Sequence, residues 1–132
     1  MILLDTQAVI WWAQEEPSRL SLRARREIAK AEKEQALVAS AMSIWEVCFL
    51  VKSERLQLGV TIEQWLSALT SLREIHIIPI DAEIARLSIY LPEPFHKDPA
   101  DRMIVATAIS LDAPMVTSDR KIRSYPYVRT IW

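Results

Sequence analysis

Asp101 is the residue from which the chemistry of this sequence is best approached. The stretch His96-Lys97-Asp98-Pro99-Ala100-Asp101-Arg102-Met103-Ile104-Val105-Ala106-Thr107-Ala108 reads as a helix start. Asp98 is the N-cap, Pro99 takes the first helical position, where its missing N–H costs nothing, and Asp101 lies in the first turn. On a 3.6-residue period Asp101 shares a face with Ile104, Val105 and Ala108, the side that packs inward. A carboxylate aimed at the protein needs a partner, because a buried unpaired charge is costly. The available partners are other acids: Asp5, Glu46 and Asp119. Carboxylates gathered in one place repel each other unless a divalent cation sits among them. Their oxygens suit Mg2+ or Mn2+, and the chemistry expected of such a centre is metal-assisted hydrolysis of a phosphodiester.

Composition narrows the alternatives. The 132 residues are expected to form one domain spanning 1–132, and 51% hydrophobic content suffices for a substantial core. The single glycine, Gly59, removes a phosphate-cradling P-loop, a dinucleotide fingerprint and a Gly-x-Ser-x-Gly nucleophile elbow, all of which need several glycines at fixed spacing. One cysteine, Cys48, excludes an intrachain disulfide and a thiolate zinc cluster, and two histidines, His76 and His96, do not suggest a histidine-rich metal site. No segment approaches the roughly 20 apolar residues of a membrane span, and Met1-Ile2-Leu3-Leu4-Asp5 lacks the features of a signal peptide. A cytoplasmic location without membrane contact is expected. Net charge is −1, yet Arg19, Arg23, Arg25, Arg26, Lys30 and Lys33 crowd one segment and Arg120, Lys121 and Arg123 another. Such patches either contact phosphate or form solvated helix faces.

Strands and helices alternate along the chain. Ile2-Leu3-Leu4 is an apolar run read as a buried strand, followed by a helix from about Thr6 to Gln14. Ser18 or Ser21 caps a basic helix to about Lys33, and Ala36–Ala39 forms the second strand. Ser43 is read as opening the next helix, with Glu46 three residues on as the second half of a capping box. Thr61 to about Leu72 is a further helix, Ile75–Ile80 the third strand, and Asp81 to Tyr90 a helix capped by Asp81. After the helix at Asp98 come strands at Met115–Thr117 and Val128–Ile131. This alternation predicts an α/β fold with a parallel sheet and helices on both faces.

The acids fall at the strand exits. Asp5 closes the first strand, Asp119 follows the fourth, Glu46 lies just after the second, and Asp101 begins the helix that leads into the fourth. Sites in open α/β sheets form outside the carboxyl ends of the strands where the strand order reverses, so neighbouring first and fourth strands would bring the four acids into one pocket. Each acid also has a local reading: Asp98 as an N-cap, Glu46 in its capping box, Asp119 as a turn or cap residue, Asp101 facing a helix dipole, and Asp5 capping the helix at Thr6.

Leu3-Leu4-Asp5-Thr6, Ser43-Ile44-Trp45-Glu46-Val47, the motif from His96 to Ala108, and Val116-Thr117-Ser118-Asp119 resemble the PIN domain, specifically VapC-type toxins of toxin–antitoxin pairs. The resemblance spans the chain in order. It implies a PIN-like three-layer α/β/α fold with a central, mostly parallel five-stranded sheet. It implies an endoribonuclease acting on RNA with Mg2+ or Mn2+, a homodimer, and inhibition by a cognate small antitoxin. Asp5, Glu46, Asp101 and Asp119 match the family's acidic quartet; Asp98 belongs to a subgroup pattern. Thr6 and Thr117 match positions that flank the acids and would orient them or their waters. The early helices, with Trp11, Trp12 and the basic segment, would help to form the antitoxin groove, the alternative for the tryptophans being an aromatic core.

Two other readings compete. A catalytically inactive scaffold of the same fold would bind RNA or protein only. An aspartate-based phosphatase of the haloacid-dehalogenase kind would use Asp5 as nucleophile, but needs a second aspartate two residues on, where this chain has Gln7.

Overall fold

The computed structural model describes residues 1–132. Five short strands, β1 (Ile2–Leu4), β2 (Leu37–Ser40), β3 (Ile75–Ile78), β4 (Met115–Val116) and β5 (Thr130–Ile131), form one sheet in the order β3-β2-β1-β4-β5. Every neighbouring pair is parallel. The sheet expected to be mostly parallel is therefore wholly so. β1 is central, with Leu3 opposite Val38 on one side and Met115 on the other.

Because side chains alternate across a strand, each strand feeds two cores. Ile2 and Leu4, with Leu37, Ala39, Ile75, Val116 and Ile131, pack in one layer. That layer is closed by helices α1 (Thr6–Ala13), α2 (Leu22–Lys33) and α4 (Ile62–Ser71), and by Val47 of α3 (Ala41–Lys52). Leu3, Val38 and Met115 face the opposite layer, made with α5 (Ala82–Ile89), α6 (Pro99–Ser110) and the short α7 (Arg120–Arg123). The result is the three-layer α/β/α arrangement. No helix is long and apolar enough to cross a membrane.

Most helix starts follow the local signals. Ser21, rather than Ser18, caps α2 through the Ala24 N–H, and a single turn of 3-10 helix occupies Pro17–Arg19. Thr61 and Gln64 form a reciprocal capping box on α4, Asp81 caps α5, and Asp98 caps α6. One start differs. α3 begins at Ala41, with Ser40 as its cap accepting from Met42 N–H, so Ser43 lies inside the first turn and is fully buried. Glu46 is then in the second turn and closes no capping box. β3 stops at Ile78 rather than Ile80, since Pro79 has no N–H to donate to the ladder. β2 runs one residue later than Ala36–Ala39, and β5 is limited to Thr130–Ile131.

Candidate active site

The chain leaves β1 toward β2 and β3 on one side and returns to β4 on the other, so the strand order reverses between β1 and β4. The Asp5 N–H donates to Val116 O at 3.1 Å and the Thr117 N–H to Ile131 O at 3.3 Å, carrying the ladder to the ends of both strands. Asp5 and Thr117 thus open on the same edge, and Asp119 follows two residues later.

Local hydrogen bonds hold these acids. Asp5 Oδ1 accepts from Ala8 N–H at 2.8 Å and caps α1. Asp119 Oδ1 accepts from Lys121 N–H at 2.8 Å and caps α7, while its own N–H donates to Thr117 Oγ1 at 3.1 Å. The cap reading and the site reading of these two residues are compatible, because a cap engages one carboxylate oxygen and leaves the other. Asp98 is exposed and its Oδ1 accepts from Asp101 N–H at 3.0 Å, as the N-cap expectation required.

Glu46 is held by tertiary contact. The Thr6 hydroxyl donates to Glu46 Oε1 across 40 residues of sequence, and Thr6 Oγ1 lies 3.1 Å from the buried Ser43 hydroxyl. A hydroxyl has one proton to give. With that proton on Glu46, Ser43 serves Thr6 as the return donor. Thr6 thus holds one oxygen of Glu46, and Ser43, read as a helix cap, contacts Thr6 from inside the first turn of α3 instead.

Electrostatics ties the acids together. Burial pushes the Asp101 carboxyl up to about 7, with Asp98, Asp119, Glu46 and Asp5 each adding repulsion in that order. Burial likewise pushes Asp5 up to about 6; the Thr117 hydroxyl and Ala8 N–H offset part of the rise, and Asp119 and Glu46 add to it. Glu46 is raised by burial, lowered by Thr6 and raised by Asp98. Each of the four quartet acids thus repels, or is repelled by, others of the set, and Asp101 senses all of them.

No three His, Cys, Asp or Glu side chains stand close enough to cage an ion. Mg2+ does not require that: it keeps several waters and is held through one or two carboxylates. Hard carboxylate and hydroxyl oxygens, partly withdrawn from water and carrying uncompensated like charge, fit such a cation in donor type and in sign. Beside this edge, a cleft of about 340 Å³ between α3 and α6 is lined by Trp45, Glu46, Phe49, Arg55 and Asp98 among others.

One neighbour of the quartet carries no signal in composition or spacing. His96, in the loop before α6, places Nε2 3.2 Å from Asp101 Oδ2. A histidine five residues before an acid, with a proline between them, gives no periodic cue for such a contact.

Away from the acids, an apolar groove of about 560 Å³ opens between α1, α2 and α4, lined by Trp11, Trp12, Leu20, Ile28, Trp65 and Leu72 among others. Trp65 is buried, and Trp11 packs at 6.2 Å from Trp132. Of the basic segment, Arg25 lines this groove. Trp45 is the tryptophan that stands most clearly in solvent, 57% exposed and stacked parallel on Phe49 at 5.5 Å.

The geometry agrees with comparisons to known proteins. The sequence profile of the PIN domain matches residues 2–126. Ribonuclease VapC22 of Mycobacterium tuberculosis is 37% identical over 133 aligned residues, covering 99% of this chain and 98% of that protein. Among solved structures, VapBC2 from Rickettsia felis bound to a promoter DNA fragment matches with a TM-score of 0.72 and 17% identity, over 98% of this chain and 97% of that chain. FitAcB from Neisseria gonorrhoeae matches with a TM-score of 0.62 and 23% identity, over 98% of this chain and 96% of that chain. These two share its fold. With a profile that spans nearly the whole chain, a relative alike from end to end, and an acid at each strand exit of the switch point, this chain belongs to the PIN domain family.

Proposed function

We propose that the protein is a metal-dependent endoribonuclease, the toxin of a type II toxin–antitoxin pair, with Asp5, Glu46, Asp101 and Asp119 as its catalytic acids. The observation that carries this reading is the gathering of part-buried carboxylates at the β1/β4 switch point, where burial first and the neighbouring acids second push Asp101 up to about 7 and Asp5 up to about 6. A protein that keeps such a cluster with no lysine or arginine paired to it is destabilised by it, and a divalent cation removes the repulsion. The similarity to Ribonuclease VapC22 supports RNA as the substrate.

Asp5, Asp101, Glu46 and Asp119 would hold Mg2+ or Mn2+, which when bound supplies Lewis-acid stabilisation of charge developing on a scissile phosphate. The protein's own groups do the positioning. Accepting from Ala8 N–H and Lys121 N–H fixes Asp5 and Asp119 at the starts of α1 and α7, and Thr6 occupies one oxygen of Glu46, so that the other remains for an ion or a water. Thr117 bridges the two capped acids by accepting from Asp119 N–H beside Asp5. Asp98, exposed and capping, supports the helix start and adds negative charge near Asp101 and Glu46.

Two partners follow on the same reading. The apolar groove between α1, α2 and α4 is the place for an antitoxin segment, and the exposed Trp45–Phe49 stack is the face for a second copy of the chain. Purified protein should cleave single-stranded RNA with Mg2+ or Mn2+ and stop when a chelator is added. Cleavage that persists in chelator and is equal in Asp5→Asn marks a contaminating nuclease and sinks the proposal.

A further inference from the structure

Asp101 is contacted from a loop, and loops are usually poor supports for precise chemistry. This one is clamped. The Arg102 side chain is only 11% exposed and its guanidinium reaches outward from α6 over the preceding loop. Nε donates to Ser88 O at 2.8 Å and Nη2 to Ile89 O at 3.1 Å, satisfying carbonyls at the C-terminal end of α5. Nη1 donates to Phe95 O at 3.3 Å and His96 O at 3.2 Å, and Nη2 pairs with Glu93 at 3.2 Å. The Phe95 ring lies between His96 at 4.5 Å and Tyr125 at 4.4 Å, and the Tyr125 hydroxyl donates to Pro92 O at 2.6 Å. The backbone that carries His96 is thus fixed by the residue adjacent to Asp101.

The ring it presents has one polar purpose visible. His96 Nε2 is sealed from solvent and finds no well-aligned hydrogen-bond partner. The polar atom in reach is Asp101 Oδ2, at 3.2 Å and off the ideal line. A lone pair facing an ionised carboxylate would be repelled, so when Asp101 is ionised, the state a cation requires, Nε2 carries the proton. Hydrogen bonds of active sites are commonly long or misaligned in the empty protein and tighten when the site is loaded.

We propose that His96, delivered by the Arg102-clamped loop, is a positioning residue for Asp101: its Nε2–H holds one carboxylate oxygen and leaves the other for the divalent cation. The inference rests on the metal-dependent reading above and adds a residue to it. Outer-shell hydrogen bonds of this kind are worth roughly 10–100-fold in metal affinity or activity.

The test is Mn2+ binding to the full-length protein, read as loss of the free-ion EPR signal, for wild type, Asp101→Asn, His96→Ala, His96→Gln and His96→Asn. Glutamine places an amide N–H close to where Nε2 stands, and asparagine falls short of it. His96→Ala and His96→Asn should weaken Mn2+ binding by about 10-fold, His96→Gln should recover most of that loss, and the Mn2+ concentration for half-maximal RNA cleavage should shift in step while KM for RNA stays put. If His96→Ala does not fold, the Gln and Asn variants decide by the same ordering. Mn2+ binding within twofold of wild type in both His96→Ala and His96→Asn overturns the inference, and so does a His96→Gln as weak as His96→Asn. Wild type and Asp101→Asn that both fail to bind Mn2+ overturn the metal-site reading itself, and the inference with it.

Discussion

The acidic edge of the sheet and the apolar groove on its α1/α2/α4 face are both incomplete, and in opposite ways. At the edge, carboxylates are withdrawn from water and set against one another, so that the free energy left unsatisfied is electrostatic. In the groove, Trp11, Trp12 and Leu72 are only partly covered, and what remains unsatisfied is apolar area. A cation completes the first and an apolar segment completes the second. Because the two deficits differ in kind, chelators and the titration of Asp101 and Asp5 should act on the edge alone, and an apolar-to-charged substitution at the groove rim on the groove alone.

The largest expected effect tests that separation. Asp5→Asn should lower metal-dependent RNA cleavage by about 100-fold or more while leaving antitoxin binding in the groove intact, measured by initial rates and by co-purification with the antitoxin. Loss of both functions together would show that the two regions are not independent.

Stability should reveal the edge next. Asp101 and Asp5 have folded-state values raised above the ordinary carboxylate value of 3.8, so the folded protein binds protons more tightly than the unfolded chain. Their contribution is fully present below about pH 4 and is lost as pH rises through about 6 to 7. In chelator, the melting temperature should therefore fall across that window. Asp101→Asn removes one of the repelling charges and should flatten the slope, raising stability at neutral pH by about 1–2 kcal/mol. With excess Mg2+ the ordering should reverse, because the variant gains less from a ligand that binds only the folded state. A lower melting temperature for Asp101→Asn in chelator, with an undiminished Mg2+ increment, would return Asp101 to the role of a first-turn acid.

The groove should show a smaller and purely associative effect. Leu72 is 42% exposed on its rim, and Leu72→Glu should weaken binding of an antitoxin segment by roughly 10-fold with RNA cleavage and the pH slope unchanged, as read by titration calorimetry. The smallest change expected is Asp98→Asn. Asparagine caps as well as aspartate, so stability in chelator should move by no more than about 0.5 kcal/mol, the difference reflecting one charge removed from the neighbourhood of Asp101 and Glu46.

What the amino-acid order determined by itself is what local rules can encode. The caps at Asp5, Ser21, Thr61, Asp81 and Asp98 each accept from an N–H three residues on, and the inward face of α6 follows from the 3.6-residue period that places Asp101 with Ile104, Val105 and Ala108. Alternating strand and helix made a parallel sheet legible, and acids at strand exits made the site's edge legible. The same rules misassigned Ser43 and Glu46, because a serine three residues before a glutamate has the spacing of a capping box whether or not the helix starts there. Only the tertiary structure placed β4 beside β1, set Thr6 on Glu46 from 40 residues away, and brought the loop of His96 under Arg102 to meet Asp101. Those contacts join residues that share no helix turn or strand. Their energy comes from closing the sheet and burying its two cores, a property of the whole chain that no short window of sequence contains.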